Sequence, residues 1–403
     1  MSFFIAIVGL GFLVLVHEAG HFFASLAVGL RPRRFYLGFP PAVVKVKRHG
    51  IEYGVGAVPL GGFVSIPGMH RPIPHDADRR FARAVSEAPS LAPPYDRLRR
   101  ALEAEDATAA LSALAELETG MRENRLSAEA AASAGRGLTD LRDALGPDAY
   151  WKAATWRRLI AIAAGPLANV VLAVVLLTVL FMTGSVKPSR TVESVVPDSP
   201  AQHAGLRTGD RIVAIDGSPV NGAQIGDRIL GSKGSPLVLT IVRDRRRFDL
   251  PPARPILENT GVYRLGIVRK GVGVGPGDAF VRSLKWTGII TRELGVALGH
   301  LATGEGRKDV SSPIGIVQGS ADAVKHGTSN YLWVLSLISL SLALLNLLPL
   351  LPLDGGHVLF TIIEGARGRL VKREIYERVS AVGLVLVVLL FFIGLSNDIA
   401  RLS

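Results

Sequence analysis

The sequence predicts a polytopic α-helical membrane protein. It combines four transmembrane helices, a membrane-associated β-hairpin or small sheet, and one extracytoplasmic β domain. Three observations lead there. The 403 residues are 48% hydrophobic, with a mean hydropathy of +0.33, well above an ordinary soluble chain. That excess is clustered: stretches 1–30, 159–186, 331–353 and 379–397 hold no Asp, Glu, Lys or Arg apart from Glu18. About 20 apolar residues cross the hydrocarbon core as a helix, so each stretch is long enough. Lastly, 35–66 and 189–255 are runs of short Val/Ile-rich segments separated by turn pairs, the pattern of strands.

The first stretch lacks the basic leader of a signal peptide, and its apolar run is too long for one, so it reads as a retained helix. Net charge is +12, and the basic residues flank the apolar stretches. Arg31, Arg33 and Arg34 follow the first. Lys152, Arg157 and Arg158 precede the second. Arg367, Arg369, Lys372 and Arg373 lie between the third and fourth. The excess of positive charge on cytoplasmic loops puts all three clusters inside and both termini outside. No reader motif or aromatic–basic interleaving points to nucleic acid. Cysteine is absent, which excludes disulfides, thiolate catalysis and thiolate-bound zinc. A metal here must use His and carboxylate.

Between the apolar stretches, strands are expected at 35–37, 43–47, 53–58 and 62–66, separated by Gly38, Pro40, Pro41, Gly50, Pro59 and Gly61. Residues 69–94 are Pro-rich and read as irregular. Helices over 96–118 and 126–145 follow, the second stopped by Gly146-Pro147, giving a solvated helical hairpin without catalytic pattern. The block S-P-A-Q-H-A-G-L-R-T-G-D-R-I-V-A-I-D-G (199–217) reads as a helical turn, a glycine-bounded turn and a buried strand. It resembles a PDZ domain of the bacterial periplasmic-protease type, which implies capture of extended peptides by strand addition; a small structural β domain that blocks or gates access is the competing reading. G-V-G-V-G-P-G (271–277) reads as a linker, because Pro276 and the lack of a following phosphate-cradling helix argue against a nucleotide loop. Residues 280–304 read as an amphipathic helix.

The chemistry lies in V-H-E-A-G-H. Ionisable groups at membrane depth are expensive and rarely present without a use. At spacing i, i+4, His17 and His21 share a helix face and aim two imidazoles at one point. Glu18, next to them, can act as general base. A catalytic zinc takes three protein ligands and keeps a position for water. The third stretch ends N-L-L-P-L-L-P-L-D-G-G-H (346–357), and Asp354 is the acid near that end, with His357 three residues on as the alternative ligand. Both helices run inward, so the depths match. The six histidines at 49, 70, 75, 203, 300 and 326 are scattered and expected on the surface.

Together, His17-Glu18-x-x-His21, the N-x-x-P…L-D-G run and the interposed PDZ-like block resemble the site-2 proteases, intramembrane zinc metalloproteases, in their bacterial RseP type. P-L-G-G-F-V (59–64), A-G-P-x-x-N (164–169) and S-P-I-G-I (312–316) extend the likeness, which covers about 1–68 and 155–397. Nothing is carried over to the insert, and only one PDZ-like domain is evident. The resemblance implies one zinc ion held by His17, His21 and Asp354, with Glu18 as catalytic acid/base. It implies substrate contact at Asn346, Gly61, Gly62 and Phe63. The expected activity is cleavage of transmembrane segments of single-span proteins, anti-sigma-factor-like regulators or remnant signal peptides, after an upstream site-1-type protease, in the bacterial inner membrane. A catalytically inactive PDZ-bearing scaffold is the competing reading, disfavoured by the intact Glu18. A metal transporter is disfavoured by four spans without repeat halves. The expected organisation is helix one at 1–30, hairpin region 31–68, cytoplasmic helical insert 69–157, helix two 158–186, PDZ-like domain 187–270, linker and amphipathic helix 271–330, helix three 331–353, cytoplasmic loop with the L-D-G motif 354–378, and helix four 379–397.

Overall fold

The computed structural model describes residues 1–183, 187–257, 262–303, 306–307 and 310–402. Parts of three expected segments (184–186, 258–261, and 304–305 with 308–309) lie outside the described residues. Two units are separable: Met1–Leu172 with Glu293–Asp322 and Ile338–Ser403, and Ala173–Arg292 with Ala323–Leu337.

The first unit opens with α1 (Ser2–Ala27). It stops where Gly29 takes φ +77 and the Leu30 N–H reaches back to Ser25 O at 2.9 Å, a glycine-ended helix terminus. Two long strands follow, β1 (Arg34–Arg48) and β2 (Ile51–Ser65), paired antiparallel about His49-Gly50. Both bend. Leu37 pairs with Gly62 on one side and Val55 on the other, so residues 34–37 lie between 62–65 and 52–55. The four short segments marked by the sequence thus form one small sheet. Among the described residues, 62–65 is paired on one side only. Phe22 of α1 packs on Phe35 and Tyr53 at ring-centroid distances of 5.0 and 5.9 Å, holding the sheet to the helix.

The insert differs from the expected hairpin. It contains four helices: α2 (Pro74–Glu87), α3 (Ala92–Glu103), α4 (Ala107–Glu123) and α5 (Ala128–Leu145). The Pro-rich stretch expected to be irregular holds α2 and the start of α3. Pro74, Pro93 and Pro94 sit in first turns, where an N–H would be unsatisfied anyway. The single helix expected over 96–118 breaks at Glu105 (φ +62) and restarts under Asp106, whose carboxylate accepts the Thr108 and Ala109 N–H groups, both at 3.0 Å. Phe81, Leu98, Leu114 and Leu117 are fully buried in a core of the insert's own. Each such side chain stabilises by about 1.5–3 kcal/mol, which a solvated hairpin would not gain. Helix α6 (Thr155–Thr183) comes next. A Cβ on Gly20 would lie 2.4 Å from Ala164 O, so α1 and α6 meet backbone to backbone.

The second unit is built on β3 (Lys187–Val195), α7 (Pro200–His203), β4 (Arg211–Ile215), β5 (Ser218–Pro219), α8 (Gly222–Gly231), β6 (Leu239–Arg243), β7 (Arg246–Asp249), β8 (Ile256–Leu257), β9 (Tyr263–Arg264) and β10 (Ile267–Val272). The main sheet has the order β10-β3-β4-β6-β7, with β5 beside β4. Val192, Ile212, Ile215, Ile225, Leu239 and Ile241 form its core. Asp210, 1% exposed, takes two bonds from Arg243 at 2.6 and 2.7 Å. Helix α9 (Pro276–Thr303) follows.

The remaining helices are α10 (Pro313–Lys325), α11 (Thr328–Asn346), α12 (Asp354–Arg367) and α13 (Arg373–Leu402). The third apolar stretch, expected helical to 353, leaves the helix at Asn346, and the expected loop 354–378 contains α12. Pro349 and Pro352 cannot donate to a ladder, and local turns satisfy the released carbonyls: Leu350 N–H donates to Leu348 O at 2.7 Å and Leu353 N–H to Leu350 O at 2.9 Å. The S-P-I-G-I segment opens α10, and Asp398 of α13 accepts the N–H groups of Ser312 and Gly315 at 2.7 and 3.1 Å. Helices α1, α6, α11 and α13 are long and apolar enough to cross a membrane.

Candidate metal centre

His17 and His21 are buried on one face of α1, and Asp354 opens α12. Asp354 Oδ2 lies 3.1 Å from His17 Nε2 and 3.3 Å from His21 Nε2, and the two Nε2 atoms are 3.3 Å apart. Among the described residues, this is the one group of three potential donors whose ligand atoms gather within 4.8 Å. His357 stays outside it. With His70, expected on the surface, it packs instead on Tyr376, at 6.2 and 4.7 Å between ring centroids. Burial pushes both imidazoles below the ordinary histidine range.

The outer ring nitrogens are engaged. His21 Nδ1–H donates to Ala161 O of α6 at 2.9 Å, which leaves Nε2 of the neutral ring as a lone pair. The Asn169 amide nitrogen lies 3.3 Å from His17 Nδ1, while its Oδ1 is buried without a partner. Exchanging the two amide atoms lets Oδ1 accept from Nδ1–H and frees His17 Nε2 in the same way. Asp354 Oδ2 is itself buried without a donor. Three electron pairs then converge with no proton between them, which calls for a cation. Two imidazoles and one carboxylate are a catalytic zinc donor set with a fourth position open.

Glycines make room for this. A Cβ on Gly165 would sit 2.2 Å from His21 Nε2. Those on Gly355 and Gly356 would strike the backbone of the 347–351 turn at 2.2 and 2.5 Å, so no other residue lets α12 begin so close to that turn.

Glu18 is half-buried and lies against the sheet: a Cβ on Gly62 would be 2.2 Å from its Cγ. Gly62 therefore belongs beside Glu18. Gly61 precedes it with φ +101. Phe63 turns the other way by strand alternation and packs on Tyr36 at 6.3 Å. Asn346 is half-buried at the C-terminus of α11, seven residues before the L-D-G-G turn begins at Leu353. Sequence reasoning missed the partners of the histidines. The signal was A-G-P-x-x-N: Gly165 clears the ring of His21 and Asn169 meets His17. Asn169→Ala is expected to lower zinc affinity by about 10–100-fold, read by competition with a chromophoric chelator.

Residues 5–390 match Peptidase family M50. The chain is 27% identical over 420 residues to the zinc metalloprotease RasP of Bacillus licheniformis, covering 97% of each. It is 28% identical over 430 residues to RasP of Geobacillus kaustophilus, covering 98% of this chain and 97% of that one. It is 27% identical over 406 residues to the zinc metalloprotease Rip1 of Mycobacterium bovis, covering 88% and 83%. A family match over nearly the whole length, four apolar helices and a clustered His/His/Asp group agree: the chain belongs to peptidase family M50, the site-2 proteases, and is a multi-pass membrane zinc metalloprotease.

Proposed function

We propose that this protease cleaves transmembrane segments of single-span membrane proteins, anti-sigma-factor-like regulators or remnant signal peptides, as a step of regulated proteolysis. Its zinc is held by His17, His21 and Asp354, and Glu18 is the catalytic acid/base. The observation that carries this reading is the convergence of three donor atoms, two of them on a helix apolar enough to span the bilayer, with Glu18 beside them. The intact Glu18 also favours an active enzyme over a scaffold.

Bound zinc supplies Lewis acidity toward the scissile carbonyl and lowers the pKa of a water to about 7. Glu18 takes the proton of the attacking water and returns it to the leaving amide nitrogen. A substrate helix must first unwind, because its carbonyls are already bonded. Apart from the Val64 N–H, which bonds Glu18, the side of residues 62–65 away from 34–37 has no strand partner, and its backbone groups replace the lost bonds by strand addition directly beside Glu18. Asn346 contributes a polar side chain where α11 ends, and Gly61, Gly62 and Phe63 form the strand that receives substrate.

In this reading the basic clusters face the cytoplasm, both termini lie outside the inner membrane, and the metal sits toward the cytoplasmic side. The 187–270 region is a PDZ-like domain outside, which admits substrates already shortened by an upstream site-1-type protease. The test is a proteoliposome assay with single-span substrates labelled at both ends, carrying a long or a trimmed external domain. Cleavage of the trimmed form within its apolar segment, abolished by a zinc chelator, is expected. Cleavage outside that segment, or insensitivity to the chelator, would sink the reading.

A further inference from the structure

The histidines ride on α1 and Asp354 rides on α12, yet both helices are fixed to one face of α6. Ala161, Gly165 and Asn169 of α6 meet His21, His21 and His17 respectively. Arg158 precedes them by three, seven and eleven residues, spacings that share one helix face. Its Nη1 donates to Glu364 Oε2 of α12 at 2.6 Å. Arg158 is 5% exposed and Glu364 6%. The other oxygen, Glu364 Oε1, accepts the Val371 N–H at 2.9 Å. One turn earlier on α12, Thr361 Oγ1 lies 3.2 Å from the Tyr150 hydroxyl, and the Arg158 guanidinium stands 5.7 Å from the Tyr150 ring centroid. Gly365 lets the helices close: a Cβ there would lie 2.7 Å from Thr155 Cγ2.

Glu364 is ten residues, roughly 15 Å, along α12 from Asp354. A buried charge pair tolerates little displacement, because separating its members leaves each charge uncompensated. We propose that Arg158 and Glu364 are positioning residues of the metal centre: by locking α12 to α6, they set where Asp354 Oδ2 meets the two imidazole Nε2 atoms. The pair touches no donor atom and acts only through the two helices. The proposal rests on His17, His21 and Asp354 being the zinc ligands.

The test uses the full chain in detergent, with zinc affinity and the thermal midpoint of the zinc-free protein measured on the same samples. Arg158→Met is expected to weaken zinc binding by roughly tenfold or more, in the range of supporting partners. Arg158→Lys keeps the charge and is expected to recover most of that loss. If Arg158→Met does not accumulate, Glu364→Gln, which keeps the carbonyl acceptor for Val371, takes its place with the same expected loss. Asp210→Asn weakens the ion pair of buried Asp210 with Arg243 in the second unit and is expected to lower the midpoint while leaving zinc affinity unchanged. A positioning variant that lowers the midpoint but binds zinc like the parent overturns the proposal, as does an Asp210 variant that loses zinc equally. Asp354→Asn separates the two failures: undiminished zinc binding there overturns the ligand assignment itself.

Discussion

Glu18→Gln is expected to abolish measurable cleavage of a single-span substrate while zinc content stays near that of the parent. General acid–base catalysis contributes about 10²–10⁴-fold, and here one carboxylate is asked to move the proton in both directions. Glutamine keeps the volume beside Gly62, where a Cβ would already overlap Glu18 Cγ, so the sheet keeps its place. It cannot accept and return a proton. The paired measurement, turnover together with zinc per chain, gives the result its meaning. Lost turnover with zinc retained identifies Glu18 as the proton carrier. Retained turnover means that another group carries the proton, and the proposed mechanism fails.

Gly165→Ala is expected to be nearly as severe by an unrelated route. One methyl group would stand 2.2 Å from His21 Nε2, the atom proposed to ligate the metal. The ring cannot rotate aside without giving up the 2.9 Å bond from its Nδ1 to Ala161 O. Helix α6 cannot retreat easily either, because Gly20 brings α1 against Ala164. Zinc affinity should fall by roughly 100-fold, the upper end for groups that hold a ligand in place, and turnover at limiting zinc should fall with it. Parent-like affinity would mean that His21 does not ligate the metal through Nε2.

What could be read from the sequence follows from what the bilayer demands. A spanning helix must be apolar over its length, so four helices show in composition alone, and an ionisable trio inside one of them stands out. Asp354 was legible because it is the acid at the end of a stretch with no other. The Asn169 and Ala161 contacts were not, because they exist only once Gly20 has brought α1 against α6, a pairing across about 140 residues that no local pattern encodes. The end of α11 was misplaced because Leu347 and Leu348 are as apolar in a turn as in a helix. The insert was misread because Pro74 resembles a breaker and is instead a first-turn residue.

The wide separation of the donors has a consequence for biosynthesis. His17 and His21 enter the membrane with the first helix, but Asp354 lies more than 330 residues further on. With His17, His21 and Asp354 as the proposed ligands, a growing chain displays the protease signature long before it has the third. Until α12 docks, two imidazoles and a base share a greasy environment with other newly inserted helices and have no complete metal site. Under the proposed ligand set, latency during synthesis is inherent in the order of the chain: Asp354 completes a site begun within the first 21 residues.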